Sequence, residues 1–418
     1  MRNRLMFANK FGKLLLTSIV ALPLLCGAVM AADQPAGPTV SKAVAKPLKA
    51  AQDAMTAKNY DDAIAKIKEV QAQSGEKTPY DNFAMNILLF QAYTAKKDMV
   101  SAVPVLAAAS QSQYATTEQK RVWLKNIALF YFQEKDYNKA LDAANEAVKV
   151  GSNDNDTLNL IAKSQYLLGK YKEAAATMQE VVSKQDKPDE ESLKLQWQFD
   201  LKANDTAGAA KTVEKLVAYY PKPEYWANAL ATLVNADTKD AHLQLNVYRL
   251  MNDVGVLKRA TDYADMAELA LDQGYPGETQ STLQKAFAEN VFTEQRDKDR
   301  YQHLLDGAKQ RAATDQAALA KNEQDATAGP TGDRLVQVGA AYLSYGQNDK
   351  AVATLQKGIA KGSLKYADEA NVLLGIALLR SHNAADAQKS FEKVAASSNA
   401  GYARLGKLWA LHAGAKSA

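Results

Sequence analysis

The 418-residue chain has a single cysteine, Cys26, and only four histidines. Without a second thiol there is no intrachain disulfide to staple a fold and no thiolate cluster to hold a metal. His242, His303, His382 and His412 are far apart in sequence and none belongs to a His-Glu-x-x-His pair, so a zinc helix of that kind is excluded. Proline is scarce at 11 residues, and alternating β-branched runs are missing, which removes the usual signs of a sheet protein. Beyond the N-terminal leader no stretch reaches the roughly 18 apolar residues that would suggest a membrane span. An excess of one charge is also missing once the N-terminus is set apart. Residues 1–31 hold Arg2, Arg4, Lys10 and Lys13 and no acid, while the remainder carries 47 basic and 47 acidic side chains. A chain so balanced has no global field with which to hold a polyanion, which argues against nucleic acid as a partner.

What is present begins with that leader. A basic stretch to Lys13, the apolar run Leu14–Leu25 and the small residues Gly27-Ala28-Val29-Met30-Ala31-Ala32 have the layout of a secretory signal peptide. The expected cut follows Ala31, with Ala32 as the fallback. The apolar run is short for an uncleaved anchor, and Leu25 stands where lipidation of Cys26 would want a small residue. The expectation is an exported, periplasmic protein with no stable membrane insertion after cleavage. Residues 32–43, rich in Ala, Pro and Lys, read as a flexible tether.

From there the composition is that of helices, and the helices repeat. Leu124, Ile127, Ala128 and Tyr131 share one helical face, the turn Glu134-Lys135-Asp136-Tyr137 follows, and Ala140, Ala144 and Ala147 line a second helix. The next unit repeats this with Leu158, Ile161, Ala162 and Tyr166, then Gly169-Lys170-Tyr171, then Ala174, Met178 and Val181. Alanines that open the second helices stand at 63, 102, 140 and 174, and again at 351 and 387, which is a period of 34 to 39 residues. Small residues are required there because paired helices cross closely.

These residues resemble the tetratricopeptide repeat, most closely over 121–187 and 332–398. The resemblance implies an all-α, right-handed superhelical solenoid of antiparallel helix pairs, about ten in number. The expected organisation is tetratricopeptide-like repeats over 44–187, degenerate helix pairs over 188–330, further repeats over 331–400, and a capping helix with tail over 401–418. In the degenerate stretch, Arg300–Ala312 and Asp315–Ala326 are expected to be two helices of one pair. The segment Tyr248–Phe292 and the phrase Lys357-Gly358-Ile359-Ala360-Lys361-Gly362 also look like uncharacterised periplasmic tetratricopeptide proteins of proteobacteria.

Catalytic motifs are not found. Asn153-Asp154-Asn155-Asp156 lacks the central glycine and distal glutamate of a calcium loop and reads as a helix cap. Gly169-Lys170 has no upstream glycine at phosphate-loop spacing, and there is no Gly-x-Ser-x-Gly elbow. The competing enzymatic reading is a lytic transglycosylase or a polymer-binding accessory of that superhelical type, yet Glu369 and Glu392 are followed by Ala370 and Lys393 instead of the serine such enzymes carry. No catalytic, metal or cofactor residues are assigned. The resemblance implies instead a non-catalytic scaffold that binds a protein or peptide, in envelope-complex assembly, export or TonB-linked uptake. The groove is expected on the first helices, around Lys125, Phe132, Leu160, Lys163 and Tyr166. Ile87, Leu88, Leu129, Leu195, Leu343, Leu373 and Ile376 are expected to face the same way.

Overall fold

A computed structural model describes residues 38–234 and 240–417. The leader, its cut and most of the tether lie outside the described residues. Twenty helices follow one another with no strand among the described residues. The described residues divide into two compact units, those up to 188 together with 198–205, and 189–197 together with those from 206 onward.

Unit 1 holds four helix pairs. They are α1 (Lys42–Thr56) with α2 (Tyr60–Ala72), α3 (Pro79–Ala95) with α4 (Met99–Ser110), α5 (Thr117–Gln133) with α6 (Tyr137–Lys149), and α7 (Asn155–Leu167) with α8 (Tyr171–Ser183). The first helices start at side chains that can cap them. Thr78 and Thr116 each build a capping box with Asp81 and Gln119, and Asp154 accepts the Thr157 N–H. The turns within pairs share one device. Lys58, Lys97, Lys135 and Gly169 take left-handed φ values of 59° to 76°. The next residue's N–H then reaches back five positions, as from Asp136 to the Tyr131 carbonyl at 2.9 Å. Ala63, Ala102, Ala140 and Ala174 are fully buried just beyond these turns, where the two helices of each pair meet.

The boundary between the units falls within α9 (Glu190–Lys202). Unit 2 continues with α10 (Thr206–Tyr219), α11 (Pro223–Val234), α12 (Ala241–Asp253), α13 (Ala260–Asp272) and α14 (Pro276–Ala288). Then come α15 (Gln295–Ala328), α16 (Asp333–Ser344), α17 (Asn348–Lys361), α18 (Ala367–Arg380), α19 (Ala384–Ala395) and α20 (Ala400–Ser417). The pair expected at 300–326 is a single helix, α15, 34 residues long. Nothing in Ala312-Ala313-Thr314-Asp315 breaks a helix, and the buried residues Tyr301, Leu305, Ala308, Ala312, Leu319 and Ala326 keep a continuous heptad stripe through the supposed turn. The long α15 packs against both α14 and α16, and α20 packs against α19.

Unit 2 is bound by contacts that skip most of its length. α12 packs on α18 and α20, and α10 also touches α20. Residues Leu245 to Met251 are all buried, so α12 is enclosed on every side instead of showing one face to solvent. Arg404 of α20 donates to Glu214 of α10 at 2.7 Å, and the added Cβ of an alanine at Gly401 would collide with Leu243 of α12.

A candidate partner-binding surface on the first helices of unit 1

In unit 1 the first helices lie side by side, α1 against α3 and α5 against α7. Between α1 and α3 is a pocket of about 400 Å³. Its floor is Phe83, Ile87 and Leu88, all buried, and its rim carries Gln52, Thr56 and Gln91. Asp81 fixes the spacing of the two helices. Its carboxylate accepts the Ser41 N–H at the start of α1 at 2.8 Å and the Thr78 N–H at the start of α3 at 2.9 Å. Burial acts against this charge, but the two N–H donors outweigh it and hold the carboxyl below its ordinary value. An aromatic cluster continues the apolar surface, with Tyr80 edge-on to Tyr114 at 5.0 Å and Phe83 at 6.4 Å from Trp123. An apolar floor edged by the Gln52 and Gln91 carboxamides, the Thr56 hydroxyl and the Asp53 carboxylate can take a side chain while donating to and accepting from the backbone that carries it.

The expected site residues fall on α5 and α7 of the same unit. Phe132 is half-buried and rests on Tyr137 with ring centroids 5.5 Å apart. Leu160 and Lys163 are half-buried. Lys125 is committed to Asp154, with Nζ 3.0 and 3.1 Å from the two carboxylate oxygens. Asp154 also accepts from the Thr157 N–H at 3.0 Å and the Ser152 hydroxyl at 2.9 Å. Burial would raise its carboxyl, yet these donors and Lys125 bring it down to about 2. Lys125 thus fastens α5 to the start of α7. Tyr166 is tied down as well. Its ring stacks on Phe199 at 4.6 Å, and its hydroxyl accepts from the Gln198 side chain at 2.8 Å. Phe132, Leu160 and Lys163 share the first-helix face with two anchored neighbours.

The pocket between α1 and α3 was not singled out from sequence, although Ile87, Leu88 and Gln91 belong to it. The signal was present in Tyr80, Phe83 and Ile87, spaced by three and four along α3, beside Gln52 and Thr56 at the same spacing on α1. Of the other residues expected on this face, Leu129 and Leu195 are half-buried, while Ile87, Leu88, Leu343, Leu373 and Ile376 are 6%, 2%, 5%, 0% and 1% exposed and form core. Leu373 and Ile376 lie on α18, against which the non-local closure of unit 2 brings α12 and α20, whereas Leu343 lies on α16, packed among α14, α15, α17 and α18.

Among the described residues no group of three or more His, Cys, Asp or Glu side chains is placed to hold a metal ion. No described helix is long and apolar enough to cross a membrane.

Residues 95–181 match the sequence model of the family described as anaphase-promoting complex, cyclosome, subunit 3. No curated protein sequence matches the chain. Among solved structures it is similar to a tetratricopeptide repeat protein from Parabacteroides merdae ATCC 43184, at 14% identity and a TM-score of 0.30, covering 71% of this chain and 99% of that one. It is also similar to a chain in the structure of Naa15/Naa10 bound to HypK-THB, at 12% identity and a TM-score of 0.28, covering 83% of this chain and 57% of that one. The tetratricopeptide-like character of residues 95–181 thus rests on a family match and on helix-pair geometry, and that of the other pairs on geometry.

Proposed function

We propose that the protein is a non-catalytic scaffold that binds a protein or peptide on the first-helix face of unit 1. It is exported through cleavage after Ala31 and works in the cell envelope, in complex assembly, export or TonB-linked uptake, as periplasmic tetratricopeptide proteins of proteobacteria would. The observation that supports this most is the pocket between α1 and α3, continued by the half-buried Leu129, Phe132 and Leu160 on the first helices α5 and α7. A surface of this mixture suits an extended or helical segment, with the large side chains as anchors and charges acting mainly on encounter.

The reading is tested with a photo-crosslinking side chain placed at Gln91 or Phe132 in the full chain, and at the exposed Lys350 of unit 2 as control, in cells of the source organism. Discrete adducts with the same envelope protein from Gln91 and Phe132, and none from Lys350, are the expected result. Adducts from Lys350 alone would move the binding face to unit 2. The intact mass of the recovered protein checks export separately, since a product that retains residues 1–31 overturns that part.

A further inference from the structure

The interior of unit 2 contains a group of charges that balance only when a histidine is protonated. Arg249 of α12 has an exposure of 4% and forms a two-pronged contact with Glu278 of α14, from Nε to Oε1 at 2.8 Å and from Nη2 to Oε2 at 2.7 Å. Its Nη1 donates to Asn246 at 2.8 Å and lies 3.9 Å from Glu369 of α18. Glu369 has a side-chain exposure of 4%, and Nδ1 of His242 at the start of α12 lies 2.7 Å from its Oε2. The group is therefore two carboxylates, one guanidinium and one imidazole. With His242 protonated the charges cancel. With His242 neutral, a buried carboxylate is left without a full counter-charge, which is costly in a low-dielectric interior.

The surroundings of His242 reinforce this dependence. Asp240 caps its own helix, and Tyr366 at the head of α18 stacks on its ring at 4.0 Å. Arg249 opposes the proton from within α12, with Glu278 behind it. Tyr275 at the head of α14 and Tyr402 of α20 face Glu369 and stay neutral, since burial pushes both hydroxyls up. Contact with Glu369 raises the His242 pKa above its ordinary value, burial working against it and Asp240 adding to it.

We propose that the His242–Glu369 contact is a proton-controlled clasp that holds α12 of unit 2 against α18, closed when the imidazole is charged and loosened when it is not. The sign follows from linkage. A base whose pKa is higher in the folded state stabilises fully below its unfolded value, about 6.5, and loses that contribution as pH rises through the folded value. The clasp is thus tighter at pH 6 than at pH 8.5.

Hydrogen exchange of the full chain, read by mass spectrometry at pH 6 and pH 8.5 and corrected for the intrinsic rate, tests this. Protection of peptides from α12 and α18 is expected to fall at least fivefold at the higher pH, while α5 to α8 keep theirs. Glu369→Gln and His242→Gln should each abolish the difference. Equal protection of the wild type at both pH values overturns the proposal without any variant. So does a pH difference that survives in either variant. Should His242→Gln fail to fold, the wild type and Glu369→Gln decide the matter.

Discussion

Asp154 shows how one short side chain can serve three structural purposes at once. It caps α7, receives Lys125 from α5 and binds Ser152 in the intervening turn. Asp154→Ala should lower stability by about 1 kcal/mol, the usual worth of an N-cap, since the exposed ion pair adds little. The carboxyl pKa is depressed, so its contribution is present above about pH 4 and is lost as pH falls towards 2. Urea midpoints of the wild type and Asp154→Ala should therefore converge between pH 4 and pH 2, and a gap that persists at pH 2 would show that the carboxylate is not its source. Tyr166 and Phe132 are distinguished at the same scale. Tyr166→Ala removes a stacked ring and a hydrogen bond and should cost about 3 kcal/mol, whereas Phe132→Ala, with one ring neighbour, should cost clearly less. The expectation from sequence treated the two as equal groove anchors, because helical spacing shows which face a residue occupies but not that α9 supplies Phe199 and Gln198 to one of them.

Among the elements, the turns within pairs are the most regular and also the most strained. Lys97 and Lys135 occupy left-handed positions that glycine fills at 169. A non-glycine residue there carries about 1 kcal/mol of steric strain, partly offset because glycine is more flexible in the unfolded chain. Lys97→Gly and Lys135→Gly should each raise stability by up to about 0.5 kcal/mol, measurable as a higher urea midpoint. The helix crossings are the opposite case. Ala140 has no exposure, so Ala140→Leu should cost about 1–3 kcal/mol through overpacking, while Lys149→Gln, at a 69% exposed side chain, should stay within about 0.5 kcal/mol. The alanine periodicity made these crossings readable in advance, since close approach leaves little choice of residue. The single helix at α15 was not readable in the same way. A repeat of 34 to 39 residues invites a turn near Ala313, but the local sequence contains no glycine or proline to force one, and local chemistry prevails over periodicity.

At the level of the whole molecule, the repeat sequence foretold neighbour-on-neighbour packing, and unit 1 follows it. Unit 2 adds contacts that no period predicts. Arg404 reaches Glu214 across 190 residues and the Ala229 carbonyl at 3.3 Å, and His412 meets Asp253 at 2.6 Å. Such closures exact a loop entropy that only a cooperative interior offsets. An array of local pairs should open pair by pair, while a block closed on itself should open as one. Arg404→Ala separates these behaviours. It leaves Glu214, which is 19% exposed, without its partner and should cost about 2 kcal/mol. In native-state hydrogen exchange the loss should appear together in α10, α11, α12 and α20, although α10 and α20 are far apart in the chain, and α1 to α8 should be unchanged. If only α20 lost protection, it would be an appendage docked on a finished unit. Loss of the same size in all four helices would make α20 the element that completes the fold of unit 2.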